Sequence, residues 1–277
     1  MVKLAPGMIS VVTGAASGLG RSLALQFAAR GLGVVLADVE AGPLAGAVAE
    51  VEAAGAPAIG VPTDVRSADQ VAALAAATLE QFGRVDIVVN NAGVSPMPGP
   101  MWAFEMNDWE WVLSVNLWGV VHGVRAFVPH LVAQNSGHVV NTASMAGLSA
   151  GPSLGAYLTS KHAVVGLSEG LAADLAIAAP GVGVTVVCPG QVLTNIATAG
   201  RNRPESLAGT DRVFDEAELR AVAEWMSTVS GPGMTADDAA AAVIEGIEAN
   251  RLHVAPNGSI VGVRARVDRL LADLDAG

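Results

Sequence analysis

Tyrosine occurs once in this chain. The single copy, Tyr157, stands in GAYLTSKHAV (155–164), four residues before Lys161. Residues four apart share one face of a helix, so the phenol and the ammonium point the same way. A free phenol, with a pKa of about 10, is a poor base at neutral pH. A nearby cation favours its ionised form and makes proton exchange with an alcohol or carbonyl oxygen feasible. Ser144 precedes Tyr157 by thirteen residues, after an apolar run, where its hydroxyl could hold the same oxygen. In isolation each residue has a plainer reading: an amphipathic surface pair for Tyr157 and Lys161, a turn residue for Ser144.

A second cluster lies near the N-terminus. TGAASGLG (13–20) follows an apolar run and opens a helical segment. Gly14 allows a sharp turn, and Gly18 and Gly20 are read as leaving no side chain between backbone and ligand. The helix start offers unpaired N–H groups to a pyrophosphate, flanked by Ser17 and Leu19. Asp38 closes the next apolar run, where a carboxylate can accept from ribose hydroxyls and repel a 2′-phosphate. Neither Ser17 nor Val39, the two positions where a basic residue would welcome that phosphate, is basic, which favours NAD over NADP. Asp38 also suits a helix N-cap, a role compatible with the first.

These groups need a scaffold. Short Val- and Ile-rich runs at 8–13, 33–38, 58–63, 85–90, 137–142 and 182–188, with LHVAP at 252–256, read as strands buried on both faces. Ala- and Leu-rich segments at 18–30, 40–54, 67–82, 108–134, 153–178 and 235–250 read as helices between them. Strict alternation predicts a doubly wound α/β fold, a seven-stranded parallel sheet with helices on both faces. Ligands of such sheets bind beyond the carboxyl ends of the strands, where the residues above fall. The helices 108–134 and 153–178 are apolar nearly all round, so a second subunit is expected to cover what the sheet does not.

The bulk properties narrow the function. With 277 residues, 52% hydrophobic and 15% charged, the chain can bury a large core. A net charge of −11 argues against nucleic acid or an anionic membrane as partner. The uncharged stretch 175–200 is broken by Pro180, Gly181, Gly183, Pro189 and Gly190, which disfavours a membrane span, and MVKLAPGMIS lacks the form of a secretory signal. One cysteine, Cys188, allows no internal disulfide. A soluble, cytoplasmic protein is expected.

Together the motifs resemble the short-chain dehydrogenase/reductase family in its compact single-domain form, from about residue 8 to 256. TGAASGLG is similar to its glycine motif, Asp64-Val65 to the pair that contacts adenine, and NNAG (90–93), with Asn91, Ala92 and Gly93, to the segment lying along the cofactor. Asn116, Ser144, Tyr157 and Lys161 match its catalytic tetrad, and CPGQVLT, with Pro189, Gly190, Val192 and Thr194, its segment near the nicotinamide. The resemblance implies an NAD-dependent Rossmann-fold oxidoreductase that moves a hydride between nicotinamide and a secondary alcohol or ketone. In it Tyr157 acts as acid/base, Lys161 also binds the nicotinamide ribose, and Asn116 anchors a water that links Lys161 to solvent. It implies a homo-oligomer, more often a tetramer than a dimer.

Residues 191–234 are expected to form a lid over the substrate within a single domain spanning 1–277, mixing polar residues with Ile196, Leu207, Phe214, Trp225 and Met226. Met145, Gln191 and Trp225 join Ser144 and Tyr157 as expected substrate contacts, Met97 could line the same pocket, and TNIATAGRNRP (194–204) hints at a bulky hydrophobic or aromatic substrate. His162 points away from Lys161's face, and the remaining histidines lack ligand spacing, so no metal site is expected. Trp109, Trp111 and Trp118 read as core or interface, and Cys188 as a small core residue. The rival is a non-catalytic NAD-binding regulator of the same fold. Such relatives usually lack the tyrosine or the lysine, and both are present here.

Overall fold

The computed structural model describes residues 3–209, 216–229 and 231–275. Seven parallel strands form one sheet: β1 (Ile9–Thr13), β2 (Gly33–Asp38), β3 (Ala58–Pro62), β4 (Ile87–Asn90), β5 (Gly137–Thr142), β6 (Val182–Val187) and β7 (His253–Val254). Their order is β3-β2-β1-β4-β5-β6-β7, so the chain winds outward from β1, returns across it and winds the other way. The crevice beyond the strand ends opens where that reversal occurs, between β1 and β4.

Alternation along each strand divides the core. Val11, Val35, Val88, Val139 and Val184 face one layer, where they meet Leu74 of α3 (Ala68–Phe82), Trp111 of α4 (Met106–Leu113), Phe127 of α5 (Gly119–Gln134) and Leu175 of α6 (Gly155–Ala178). Val12, Leu36, Val89, Val140 and Val187 face the other, against Phe27 of α1 (Gly18–Ala28), Leu44 of α2 (Ala41–Ala53) and Ile244 of α8 (Ala236–Glu248). Strands covered on both faces explain the unbroken apolar runs. β3 is the exception: at the sheet edge it is only half-buried.

Two helices were not anticipated, α7 (Glu216–Val229) and α9 (Ile260–Asp275). Both are amphipathic; α9 contributes no buried residue, and Leu270, Leu271 and Leu274 stand exposed along it. The expected helix over 108–134 begins at Met106 and is interrupted: Ser114–Trp118 form a π-turn joining α4 to α5. This stretch, Met106–Gln134, is long and apolar enough to cross a membrane by length and composition, yet Trp111, Val112, Phe127 and Leu131 pack into the core. It is not buried all round, since Met106 and Trp118 are 77% and 53% exposed. α6 likewise buries one stripe, Ala156, Ser160, Lys161, Val164, Ser168 and Leu175, and leaves Ile177 in solvent. Of the 191–234 segment, residues 210–215, Phe214 among them, and 230 lie outside the described residues.

Candidate active site

One continuous cleft runs over the carboxyl ends of the strands, with Asp38 at one end and Ser144, Tyr157 and Lys161 at the other. Thr13, the last residue of β1, ties its floor together. Its hydroxyl donates to the Val89 carbonyl at 3.3 Å and accepts from the backbone N–H groups of Asn91 and Ala92 at 2.9 and 3.1 Å. The Asn91 amide donates back to the Thr13 carbonyl at 3.0 Å. Gly14 turns here at φ +65°, with its Cα against Ala92. The glycines of this loop divide their labour differently from the expectation. A Cβ on Gly20 would lie 2.2 Å from the Gly14 carbonyl oxygen and 2.6 Å from Asn91 Nδ2, so Gly20 serves close packing of α1 on the loop and does not line the cleft. Gly18, at φ +54°, faces the Thr194 side chain across the cleft.

The start of α1 has no side-chain cap and no acidic residue in its first turn, so its amide groups are open to an anion. The Asp38 carboxylate is oriented from both sides, accepting from the Ala16 N–H and the Glu40 N–H, each at 3.0 Å. It does not cap α2, whose N-cap is Glu40. Asp64 holds Arg66 in a two-oxygen pair, with contacts of 2.6 and 3.0 Å. Phosphate-accepting amides, a fixed carboxylate and a groove floor without side chains at Gly93 fit a dinucleotide.

At the other end the sheet ladder runs past β5. The Ala143 N–H donates to Val187 and the Met145 N–H to Pro189, at 2.7 and 2.9 Å, while the Ser144 N–H points to the Cys188 sulfur. This fixes Ser144 at the strand end, where its hydroxyl accepts from the Ala146 N–H and hydrogen-bonds with Tyr157. Burial pushes the Tyr157 phenol above its ordinary value, and the Ser144 contact pulls it part of the way back. Lys161 lies under the ring, its Nζ 5.6 Å from the ring centre, and donates to the Thr142 carbonyl at 2.9 Å. Burial brings its pKa down to about 8. The two groups are thus brought together as the spacing predicts; burial is the largest influence on each, and at the phenol, where a lowered value was expected, it outweighs the Ser144 contact. Burial pushes the Cys188 thiol up to about 12, as suits a core residue.

Asn116 sits in the π-turn, fully buried. Its Oδ1 accepts from the Val94 N–H at 2.8 Å, and its Nδ2 donates to the Val94 carbonyl and to Ser160 Oγ at 2.9 and 3.1 Å. Both amide hydrogens are therefore occupied, and the side chain positions the loop after β4 against α6 without lining the cleft.

Sixteen of the residues expected at the cofactor line this one cleft: Gly14, Ser17, Gly18, Leu19, Asp38, Val39, Asp64, Val65, Asn91, Ala92, Gly93, Pro189, Gly190, Val192 and Thr194, together with Lys161. Of the expected substrate contacts only Ser144 and Tyr157 line it. Met145 is 2% exposed in a core cluster, Gln191 turns its carbonyl to Asn257, Trp225 packs over Gly151, and Met97 is 60% exposed. Lining residues that the sequence reading did not place there include Trp111, Val115 and Val94, and, beside Asp38 and Asp64, Glu40 and Arg66; Arg201, expected only as a polar residue of the lid, meets Glu40. Trp111 carried no signal of this, since it reads as core and is 2% exposed, and Arg201 reaches the cleft from far along the chain.

A family model described as short chain dehydrogenase matches residues 8–205. The chain is 40% identical over 209 residues to the 1-deoxy-11-beta-hydroxypentalenate dehydrogenase of Streptomyces exfoliatus, covering 75% of each protein. It is 30% identical to a CLA biosynthesis dehydrogenase/reductase of Lactiplantibacillus plantarum over 96% of this chain and 93% of that protein. Among solved structures, a short chain dehydrogenase/reductase from Burkholderia phymatum in complex with NAD superposes with a TM-score of 0.84 at 45% identity, covering 92% of this chain and 90% of the other.

Proposed function

This chain belongs to the short-chain dehydrogenase/reductase family, and from that premise we propose that it oxidises a secondary alcohol, or reduces the matching ketone, with NAD as its preferred cofactor and Tyr157 as the acid/base. The observation that carries the reading is the joint placement of Ser144, Tyr157 and Lys161 at one end of a cleft whose other end holds the oriented carboxylate of Asp38. The amides at the start of α1 would hold the pyrophosphate, Asp38 the adenosine ribose, and Asp64 with Val65 the adenine. Asn91 to Gly93, Lys161 and the 189–194 segment would hold the nicotinamide half. When bound, the cofactor supplies the acceptor or donor of a hydride.

Everything else falls to the chain. Ser144 holds the substrate oxygen against Tyr157, whose phenolate takes the alcohol proton during oxidation and whose hydroxyl returns a proton to the carbonyl oxygen during reduction. Lys161, fixed on the Thr142 carbonyl, keeps a cation beneath the phenol ring and favours the phenolate. The cleft lining includes the apolar Val94, Ile196 and Ala199, which suits a bulky hydrophobic or aromatic substrate. The 191–234 segment is read as the lid of a single-domain protein, with its 195–202 stretch on the cleft rim, and the exposed Met106 and Trp118 as part of a contact with a second copy.

The test is initial rates of NADH formation on aliphatic, alicyclic, aryl and steroidal secondary alcohols, with NAD and with NADP. Tyr157→Phe is expected to lower kcat by roughly 10²–10⁴-fold while leaving NADH binding near the wild-type value. Turnover that survives the substitution would remove Tyr157 from the mechanism.

A further inference from the structure

Among the described residues, two guanidinium groups line the adenosine end of the cleft, and each is already matched by a carboxylate. Arg66 is held by Asp64. Arg201 arrives from the 195–202 stretch, far along the chain from the β2–α2 turn, and meets Glu40 there with two parallel contacts, Nη2 to Oε2 at 2.7 Å and Nε to Oε1 at 3.1 Å. The remaining nitrogen of Arg201 donates to Thr198 Oγ1 and to the carbonyls of Thr198 and Asn195, so the fork is fully directed. Asp38 adds its field to Arg201, and both residues line the same cleft. Glu40 also takes a hydrogen bond from Asn202.

This arrangement bears on cofactor choice. A guanidinium at the ribose end of the cleft is the group best suited to a 2′-phosphate, because its planar fork binds phosphate oxygens in pairs. Asp38 alone therefore faces a competing attraction from Arg201. We propose that Glu40 is a specificity-determining positioning residue: by engaging Arg201 with both carboxylate oxygens it withholds that guanidinium from a 2′-phosphate and keeps the cleft selective for NAD. The inference rests on the cofactor reading above and deepens it. Without Glu40's charge, Arg201 would remain beside Asp38 as an unmatched cation.

Equilibrium titrations of the full chain with NADH and with NADPH, followed by nicotinamide fluorescence at fixed ionic strength, test this. Glu40→Gln keeps an oxygen for Arg201 and removes the negative charge. It is expected to lower the ratio of the NADPH to the NADH dissociation constant by roughly tenfold, mainly through tighter NADPH. The double variant Glu40→Gln/Arg201→Gln is expected to return the ratio to within about twofold of the wild type, because the effect acts through Arg201. Equal weakening of both cofactors in Glu40→Gln would mean that the residue only anchors the rim, and would overturn the proposal. The same ratio change in the double variant would overturn it as well. Absence of NADH binding to the wild type would instead overturn the cofactor reading, and the inference with it.

Discussion

At the scale of single residues, the site is a set of polar groups that the fold desolvates and then partly compensates. Lys161 shows the balance most directly. Burial sets its pKa at about 8, against an ordinary value of 10.5. Below pH 8 the lysine is charged in both folded and unfolded chains and its desolvation is fully felt. Between pH 8 and 10.5 the unfolded chain binds the extra proton, so this group adds stability as pH rises, by about 3 kcal/mol in all. Urea unfolding of wild type and Lys161→Met at pH 7, 9 and 10 should therefore show the wild type gaining on the variant as pH increases; parallel curves would contradict the shift. The identities of such residues were legible in the sequence, because Tyr157 and Lys161 share a helix face and Ser144 stands where the resemblance to the family places it. Their protonation was not. It depends on burial, which arises only once α6 lies against β5 and β6.

At the scale of elements, the π-turn between α4 and α5 carries the greatest weight. Its extra residue per turn rotates Asn116 onto Val94 and Ser160, and such turns recur where a helix must present a polar group inward. Asn116→Ala would leave the Val94 N–H and carbonyl unpaired in a buried loop, and a loss of about 2–4 kcal/mol in chemical unfolding is expected. A loss below about 0.5 kcal/mol, the scale of an ordinary surface change, would show that the clamp is not structural. All seven strands could be read beforehand, the inner ones because strands covered on both faces need unbroken apolar runs, and the edge strands β3 and β7 from their place in the alternation. α7 and α9 could not be placed in the same way. α9 has helical periodicity but lies beyond the family motifs, and α7 falls within a stretch whose polar character reads as loop. Trp225 was misassigned for the same reason: its role follows from α7 docking over Gly151. The pairing of Glu40 with Arg201 was equally hidden, because it joins two segments with no local signal in common.

At the scale of the whole molecule, two features sit outside the cleft and still bear on its use. The first is His138, buried between β5 and β6. The Thr185 hydroxyl donates to the Arg251 carbonyl, so it accepts from His138 Nε2, which leaves Nδ1 as the unprotonated nitrogen, without a partner and with no room for a charge. Burial lowers its pKa to about 4. The unfolded chain takes up the proton near pH 6.5, so stability is lost as pH falls from there to about 4, by about 3 kcal/mol. The easing of repulsion among the chain's excess carboxylates works the other way over the same range. His138→Asn should flatten the acid side of the stability profile measured by urea unfolding, and an unchanged slope would place the acid sensitivity elsewhere. The second feature is the strand order. β1 is bordered by β2 and β4, and β3 needs only β2, so the first ninety or so residues contain every strand partner in the half of the sheet that bears the glycine loop and Asp38, while the helix that carries the loop, α1, packs on the distant α8. In the proton-transferring half a strand itself must wait: β6 must await β7, separated from it by the cleft rim and α8. During synthesis on the ribosome the strands of the nucleotide half therefore emerge first, yet α1 gains its packing face on α8, and β6 gains β7, only as the last forty or so residues emerge, so both ends of the cleft are completed together.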